Sequence, residues 1–168
     1  MGTAIVVTSG KGGTGKTSIT GGVAGSLARL GHSVLCIDMD IGLRNLDISL
    51  GLSDRALMDF SDVAEGRCPL VRAAVNHPDL PGLALLTAPM TLSPALTEEA
   101  VRRMLDTARS LYDYVLIDSP AGLGALRMAC CGPTGPSSSP PTTLSFGTPA
   151  HRGELDFLRQ IHLVMNRI

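Results

Sequence analysis

Short, nearly uninterrupted apolar runs alternate along this chain with longer amphipathic or small-residue stretches. Ala4-Ile5-Val6-Val7-Thr8 is the first run, and it ends in Ser-Gly-Lys-Gly-Gly, which predicts a buried strand running into a loop. From Thr17 to Leu30 the small residues suit a helix stopped by Gly31. Val34-Leu35-Cys36-Ile37 predicts a second strand ending at Asp38, residues 53–77 read as short helices, and Leu83-Ala84-Leu85-Leu86 as a third strand. Thr97 is placed to cap a helix reaching about Ser110, with Glu98 and Glu99 in its first turn. Tyr114-Val115-Leu116-Ile117 predicts a fourth strand, ending at Asp118. Val101–Leu111 is amphipathic and fits core packing. Strands that are apolar on both faces and separated by helices predict an α/β chain: a mostly parallel sheet with helices on both faces. Functional groups then belong at the carboxyl ends of the strands.

The pattern breaks near Gly132. Every residue from 132 to 149 except Leu144 and Phe146 is Pro, Ser, Gly or Thr, and proline cannot donate to a strand ladder, so 132–153 reads as irregular and unable to supply a central strand. Ile161-His162-Leu163-Val164-Met165 predicts a last strand before Asn166-Arg167-Ile168. At 168 residues, the chain is expected to form a single domain over residues 1–168.

Composition narrows the function. Lys+Arg 14 against Asp+Glu 15 excludes a polycation built for nucleic acid. No apolar run approaches the roughly 20 residues that cross a bilayer. Met1–Val7 lacks the basic start and cleavage site of a signal peptide, so a cytoplasmic location is expected. Cys36, Cys68, Cys130 and Cys131 have no metal-ligand spacing and read as reduced, mostly core thiols. His32, His77, His151 and His162 form neither a triad nor a metal pattern. The only lysines are Lys11 and Lys16, in one glycine-rich loop of an otherwise arginine-using chain, which suggests that a compact ammonium is needed there.

That loop carries the chemistry. Gly10-Lys11-Gly12-Gly13-Thr14-Gly15-Lys16-Thr17 matches G-x-x-x-x-G-K-[ST] between a strand and a helix, with Ser18 directly following. Glycines let successive backbone N–H groups face phosphate oxygens, and the helix N-terminus adds partial positive charge. Lys16 then reaches the β- and γ-phosphates of a nucleotide, and the Thr17 hydroxyl ligates Mg²⁺. Asp38 and Asp40 follow the second strand, and Asp118 ends the fourth. Carboxylates at strand ends beside a phosphate loop suit Mg²⁺ and water positioning, although an aspartate simply ending a buried strand stays open for Asp118, as helix capping does for Asp47.

Lysine directly after the first glycine is not required by an ordinary phosphate loop. Lys-Gly-Gly-Thr-Gly-Lys-Thr resembles the deviant phosphate loop of the MinD/ParA family of P-loop NTPases. Asp38-Met39-Asp40-Ile41-Gly42-Leu43-Arg44-Asn45-Leu46-Asp47 resembles the switch I region of its MinD branch, and Asp118-Ser119-Pro120-Ala121-Gly122 its switch II. The resemblance covers residues 1 to about 131 and resumes near 160. It implies a Mg²⁺-dependent ATPase that forms an ATP-driven homodimer in division-site placement, with a division inhibitor and an activator as partners. It also implies that Lys11 reaches the partner protomer's nucleotide, that Asp40 orients the attacking water, that Asp38 lies near metal and phosphates, that Asp118 holds Mg²⁺ through water and that Asn166 reads the adenine. By the same resemblance the fold is incomplete at its C-terminus, and membrane attachment needs an amphipathic C-terminal helix beyond Ile168. Two other readings are a ParA-type partition ATPase and a nucleotide-binding fragment without turnover. The Gly-Leu-Arg-Asn-Leu-Asp run and the near-neutral charge favour the MinD branch, with no specific nucleic acid.

Beyond Gly132 the family supplies a strand beginning Ala-Asp-Arg-Ala, followed by aliphatics. With serine as TCN, the codons of Pro133 to Ser139 read from one base earlier become NCC, NAC, NGG, NCC and three NTC triplets. These permit Ala-Asp-Arg-Ala and force three residues from Phe, Leu, Ile and Val. A frameshifted stretch from about 133 to the low 150s is therefore expected; if the strand it replaces lies beside the switch II strand, as the resemblance implies, the ladder partners there are left exposed. The alternative is a genuine Pro/Ser-rich insert, and the gene's codons decide between them.

Overall fold

The computed structural model describes residues 1–9 and 13–120, together with the backbone of Thr142–Ser145. Its elements follow in the order β1 (Thr3–Thr8), α1 (Lys16–Arg29), β2 (Val34–Asp38), α2 (Asn45–Ser49), α3 (Phe60–Ala64), α4 (Leu70–Ala73), β3 (Val75–Asn76), β4 (Leu83–Leu86), α5 (Glu98–Leu111), β5 (Tyr114–Asp118) and β6 (Thr142–Ser145). One sheet has the order β3-β4-β2-β5-β1-β6, parallel throughout except where β3 meets β4.

Alternating residues of the same strand feed two cores. Leu35 and Ile37 of β2, with Val6, Ala84, Leu86, Val115 and Ile117, pack against Phe60, Ala64, Leu70, Val101, Met104 and Ala108. Val34 and Cys36, with Leu83, Leu85 and Leu116, pack against Ala24 and Ala28 of α1 and against Leu46, Leu50 and Leu52. Helices on both faces leave these strands no solvent side, which is why their sequences do not alternate. The amphipathic stretch predicted to be core does bury Val101, Met104, Leu105 and Ala108. Thr97 caps α5 through Ala100 N–H, as predicted, and the thiol of Cys36 lies fully buried.

Three expectations change. Val75–Asn76, inside the segment read as short helices, forms a two-residue antiparallel pairing with β4. Thr142–Ser145, inside the segment read as irregular, pairs with β1 in the register Ile5↔Thr142 to Thr8↔Ser145. Those four residues contain no proline, so every N–H there is available to the ladder, and the strand is outermost in the described sheet, where a broken neighbouring sequence is tolerated. The switch II strand, β5, lacks no partner: it lies between β2 and β1, and β6 adds to β1 instead. The strand predicted over 161–165, together with Cys130, Cys131, His151 and His162, lies outside the described residues.

Ser33 and Asp113 clamp the entries to β2 and β5. The Asp113 carboxylate accepts the Ser33 N–H at 2.8 Å and its hydroxyl at 2.7 Å, while Asp113 N–H donates back to Ser33 O at 3.0 Å. These bonds, with a smaller contribution from His32, hold the carboxyl below the usual carboxylate value. An acid with a depressed folded value contributes stability above its unfolded value, about pH 4 for aspartate, and loses it as pH falls through the folded one. Urea midpoints of the parent and of Asp113→Asn are expected to differ most near neutrality and to converge as the pH drops below about 4. A gap that stays constant down the acid limb would remove this account.

Candidate nucleotide site

The sheet brings its carboxyl ends to one level. Val7 of β1 and Asp38 of β2 both stand in register with Asp118 of β5, and Met39 N–H donates to Asp118 O at 2.9 Å. Beyond β1 the chain reaches the start of α1 at the same edge. Gly15, with φ 84°, turns the chain into the helix in the left-handed region, where a side chain would be strained. Among the described residues no side chain caps α1 and no acidic residue lies in its first turn, whereas α5, of equal length, is capped by Thr97. An uncapped helix start that is approached by glycines is suited to an anion.

Lys16 opens this helix half-buried, and its Nζ donates to Ser9 Oγ at 3.1 Å. Thr14 Oγ1 donates to the same hydroxyl at 2.8 Å. Thr17 follows Lys16 in the first turn, also half-buried, and its hydroxyl acts on the Asp118 carboxyl. Thr20, one turn further, hydrogen-bonds Lys16 O at 2.9 Å and lies 3.5 Å from Asp118 Oδ1. Asp118 is 1% exposed. Burial pushes its carboxyl above the usual value, Asp40 adds to the rise, and the Thr17 hydroxyl, the Lys16 ammonium and Thr20 pull it down. Ser119, also buried, donates its hydroxyl to Val7 O at 2.9 Å and fixes the chain leaving β5.

Asp38 is equally buried, and burial pushes its carboxyl up to about 6 against the opposing pull of two backbone N–H groups. Those donors are Asp40 N, at 2.8 Å from Oδ1, and Leu46 N, at 3.2 Å from Oδ2. Asp40 is half-buried beside them. Asp47, in the first turn of α2, pairs with Arg44 at 3.6 Å.

The structure thus gathers Gly13, Thr14, Gly15, Lys16, Thr17, Asp38, Asp40 and Asp118 at one sheet edge, with Ser18 exposed on the first turn of α1. Gly10, Lys11, Gly12 and Asn166 lie outside the described residues. Sequence reasoning missed Ser9, which both Thr14 and Lys16 use, and Thr20. Thr20 was findable: it lies four residues after Lys16, on the helix face turned to the sheet.

A hard cation fits here. Among the described residues no cluster of three or more His, Cys, Asp and Glu could hold a metal. Mg²⁺ needs none, since it keeps several waters and takes one or two protein oxygens beside substrate phosphates. Thr17 and Asp118 supply such oxygens, and the anionic partner belongs at the uncapped helix start.

The model of the AAA domain family matches residues 2–131. The septum site-determining protein MinD of Bacillus subtilis (strain 168) is 43% identical over 125 residues, which cover 73% of this chain and 47% of that protein. The chain therefore spans about half the length of the curated relatives it matches. Among solved structures, MinD in the MinC:MinD cell division complex of Aquifex aeolicus superposes with TM-score 0.72 at 36% identity, covering 98% of this chain and 64% of that one. Cobyrinic acid a,c-diamide synthase of Mycobacterium smegmatis, with bound ATP analogue and magnesium, gives TM-score 0.70 at 26% identity, covering 99% of this chain and 67% of that one.

Proposed function

The chain belongs to the AAA domain family over residues 2–131 and within it to the MinD-type ATPases, and on that premise we propose that it binds ATP with Mg²⁺ and hydrolyses it to ADP and phosphate. The observation that carries this reading is the placing of Lys16 and Thr17, at the uncapped start of α1, against Ser9 and Asp118.

Each residue then has a task. The backbone from Gly12 to Gly15 cradles phosphates. Lys16, already steadied by Ser9, offsets charge on the β- and γ-phosphates. Thr17 offers its hydroxyl to Mg²⁺ and Asp118 holds the ion through water. Mg²⁺ in that seat neutralises phosphate oxygens and orients the triphosphate. Asp40 orients the attacking water; the described site offers it no strong general base, so unassisted turnover is expected to be slow. Lys11 reaches the nucleotide of a second copy, which couples hydrolysis to ATP-driven dimerisation. The cellular role is placement of the division site from the cytoplasm, with a MinC-type division inhibitor and an activating protein as partners. The Aquifex complex, which pairs MinD with MinC, supports the first of these.

Calorimetric titration with MgATP, followed by phosphate release at rising protein concentration, tests the proposal. Saturable heat is expected, with a specific rate that climbs as the chain dimerises, and EDTA is expected to abolish release. A folded chain that gives no heat with MgATP overturns the reading.

A further inference from the structure

Residues 39–46 cross the end of the sheet from one core to the other. Met39 is buried among the residues that face α5, and Leu46 among those that face α1. The backbone between them turns twice through the left-handed region, at Gly42 (φ 83°) and at Arg44 (φ 46°), where a non-glycine residue is strained. Gly42 N–H donates to Pro89 O at 3.2 Å, and the N–H groups of Leu43 and Arg44 approach Asp40 O at 3.3 and 3.4 Å. At the centre of this turn lies the Asp38 carboxylate, with one oxygen on the Asp40 N–H near the start of the loop and the other on the Leu46 N–H at its end.

We propose that Asp38 is a positioning residue for hydrolysis, a carboxylate staple that holds the strained 39–46 loop and so fixes Asp40, and not a ligand of the magnesium ion. The proposal rests on the ATPase reading above. Its physical ground is that both oxygens already face the positive ends of backbone N–H dipoles from their own loop, an arrangement that satisfies a buried carboxylate without a cation. Asp118 differs: its described partners are the hydroxyls and the ammonium at the start of α1. The two carboxylates stand side by side in the sheet, one serving the loop and the other the cation.

The test compares the full chain with Asp38→Asn and Asp118→Asn. Asparagine keeps one acceptor but turns an NH₂ group toward a backbone N–H. Asp38→Asn is expected to lower kcat by about 10–10²-fold through misplacement of Asp40, with KM and the Mg²⁺ concentration for half-maximal ATPγS binding within about twofold of the parent. Asp118→Asn is expected to raise that Mg²⁺ concentration by about 10–100-fold, as loss of a group acting on the metal through water does. A matching rise in Asp38→Asn overturns the proposal, and so does an unchanged kcat. Should Asp38→Asn fail to fold, amide exchange in the parent chain decides. Protection of the Asp40 and Leu46 amides is expected to persist or increase when MgADP is added, and its loss on MgADP would mean that the carboxylate leaves the loop for the metal. Absence of MgADP binding by the parent would instead count against the ATPase reading, and protection of these two amides without nucleotide then reports on the staple alone.

Discussion

Lys16→Ala is expected to lower kcat/KM for MgATP by on the order of 10²–10³-fold, the usual consequence of removing one preorganised donor aimed at developing negative charge. The structure gives reasons to expect this without unfolding. Lys16 is half-buried at the first position of α1, belongs to neither apolar cluster, and its Nζ bonds a side-chain hydroxyl, Ser9. Ser9 keeps the Thr14 donor when Lys16 is cut back. The ammonium also lowers the Asp118 carboxyl, so its loss leaves a buried carboxylate less favourably ionised next to the Thr17 hydroxyl. Lys16→Arg is not expected to rescue, because a planar fork replaces a compact charge at a backbone-lined seat. Steady-state phosphate release, with circular dichroism to confirm folding, measures the effect. A loss below about tenfold in a folded variant would place the phosphate-facing charge elsewhere.

How far the chain's own text reaches is decided by what each element asks of it. The strands β1, β2, β4 and β5 were legible as apolar runs because both of their faces are covered. The start of α5 was legible because Thr97 caps it locally. What local text lacks is pairing. Val75–Asn76 is too short for any period, and it exists because β4 offers Ala84 and Leu85 as partners. Thr142–Ser145 sits in turn-forming composition and exists because β1 has a second edge to fill. The place of β5 between β1 and β2 is likewise a property of the whole sheet, and it is what brings Asp118 beside Asp38. At the site, Lys16, Thr17, Asp40 and Asp118 came from spacing after strands. Ser9 carries no motif, and its role appears only once α1 lies across the ends of β1 and β5, while Thr20 is marked only by its four-residue spacing from Lys16. The hydrogen bonds of Asp38 belong to the same group: a sequence places a carboxylate at a strand end but does not say which N–H groups turn back toward it.

Lys11→Ala is expected to lower hydrolysis by on the order of 10³-fold while ATP binding weakens by less than about tenfold, the pattern of a cation delivered to the transition state from a partner protomer. Lys16→Ala is expected to damage both, which separates the two lysines of one loop. A mixing experiment goes further. On the proposed reading, Asp40 acts on the nucleotide of its own protomer, whereas Lys11 serves the nucleotide of the other. Lys11→Ala and Asp40→Ala are each expected to hydrolyse ATP only weakly alone, but a mixed dimer would contain one complete site: the nucleotide on the Lys11→Ala chain, with that chain's Asp40 and the other chain's Lys11. The second site lacks both groups. Equal mixing makes half the dimers mixed, so activity is expected to recover to about a quarter of the parent's per chain, as the symmetry of a two-fold dimer requires. If Lys11 serves its own protomer's nucleotide, no pairing of these chains completes a site, and the mixture stays as inactive as its components. That result would confine the ammonium to its own phosphate loop and remove the reason for coupling hydrolysis to dimerisation.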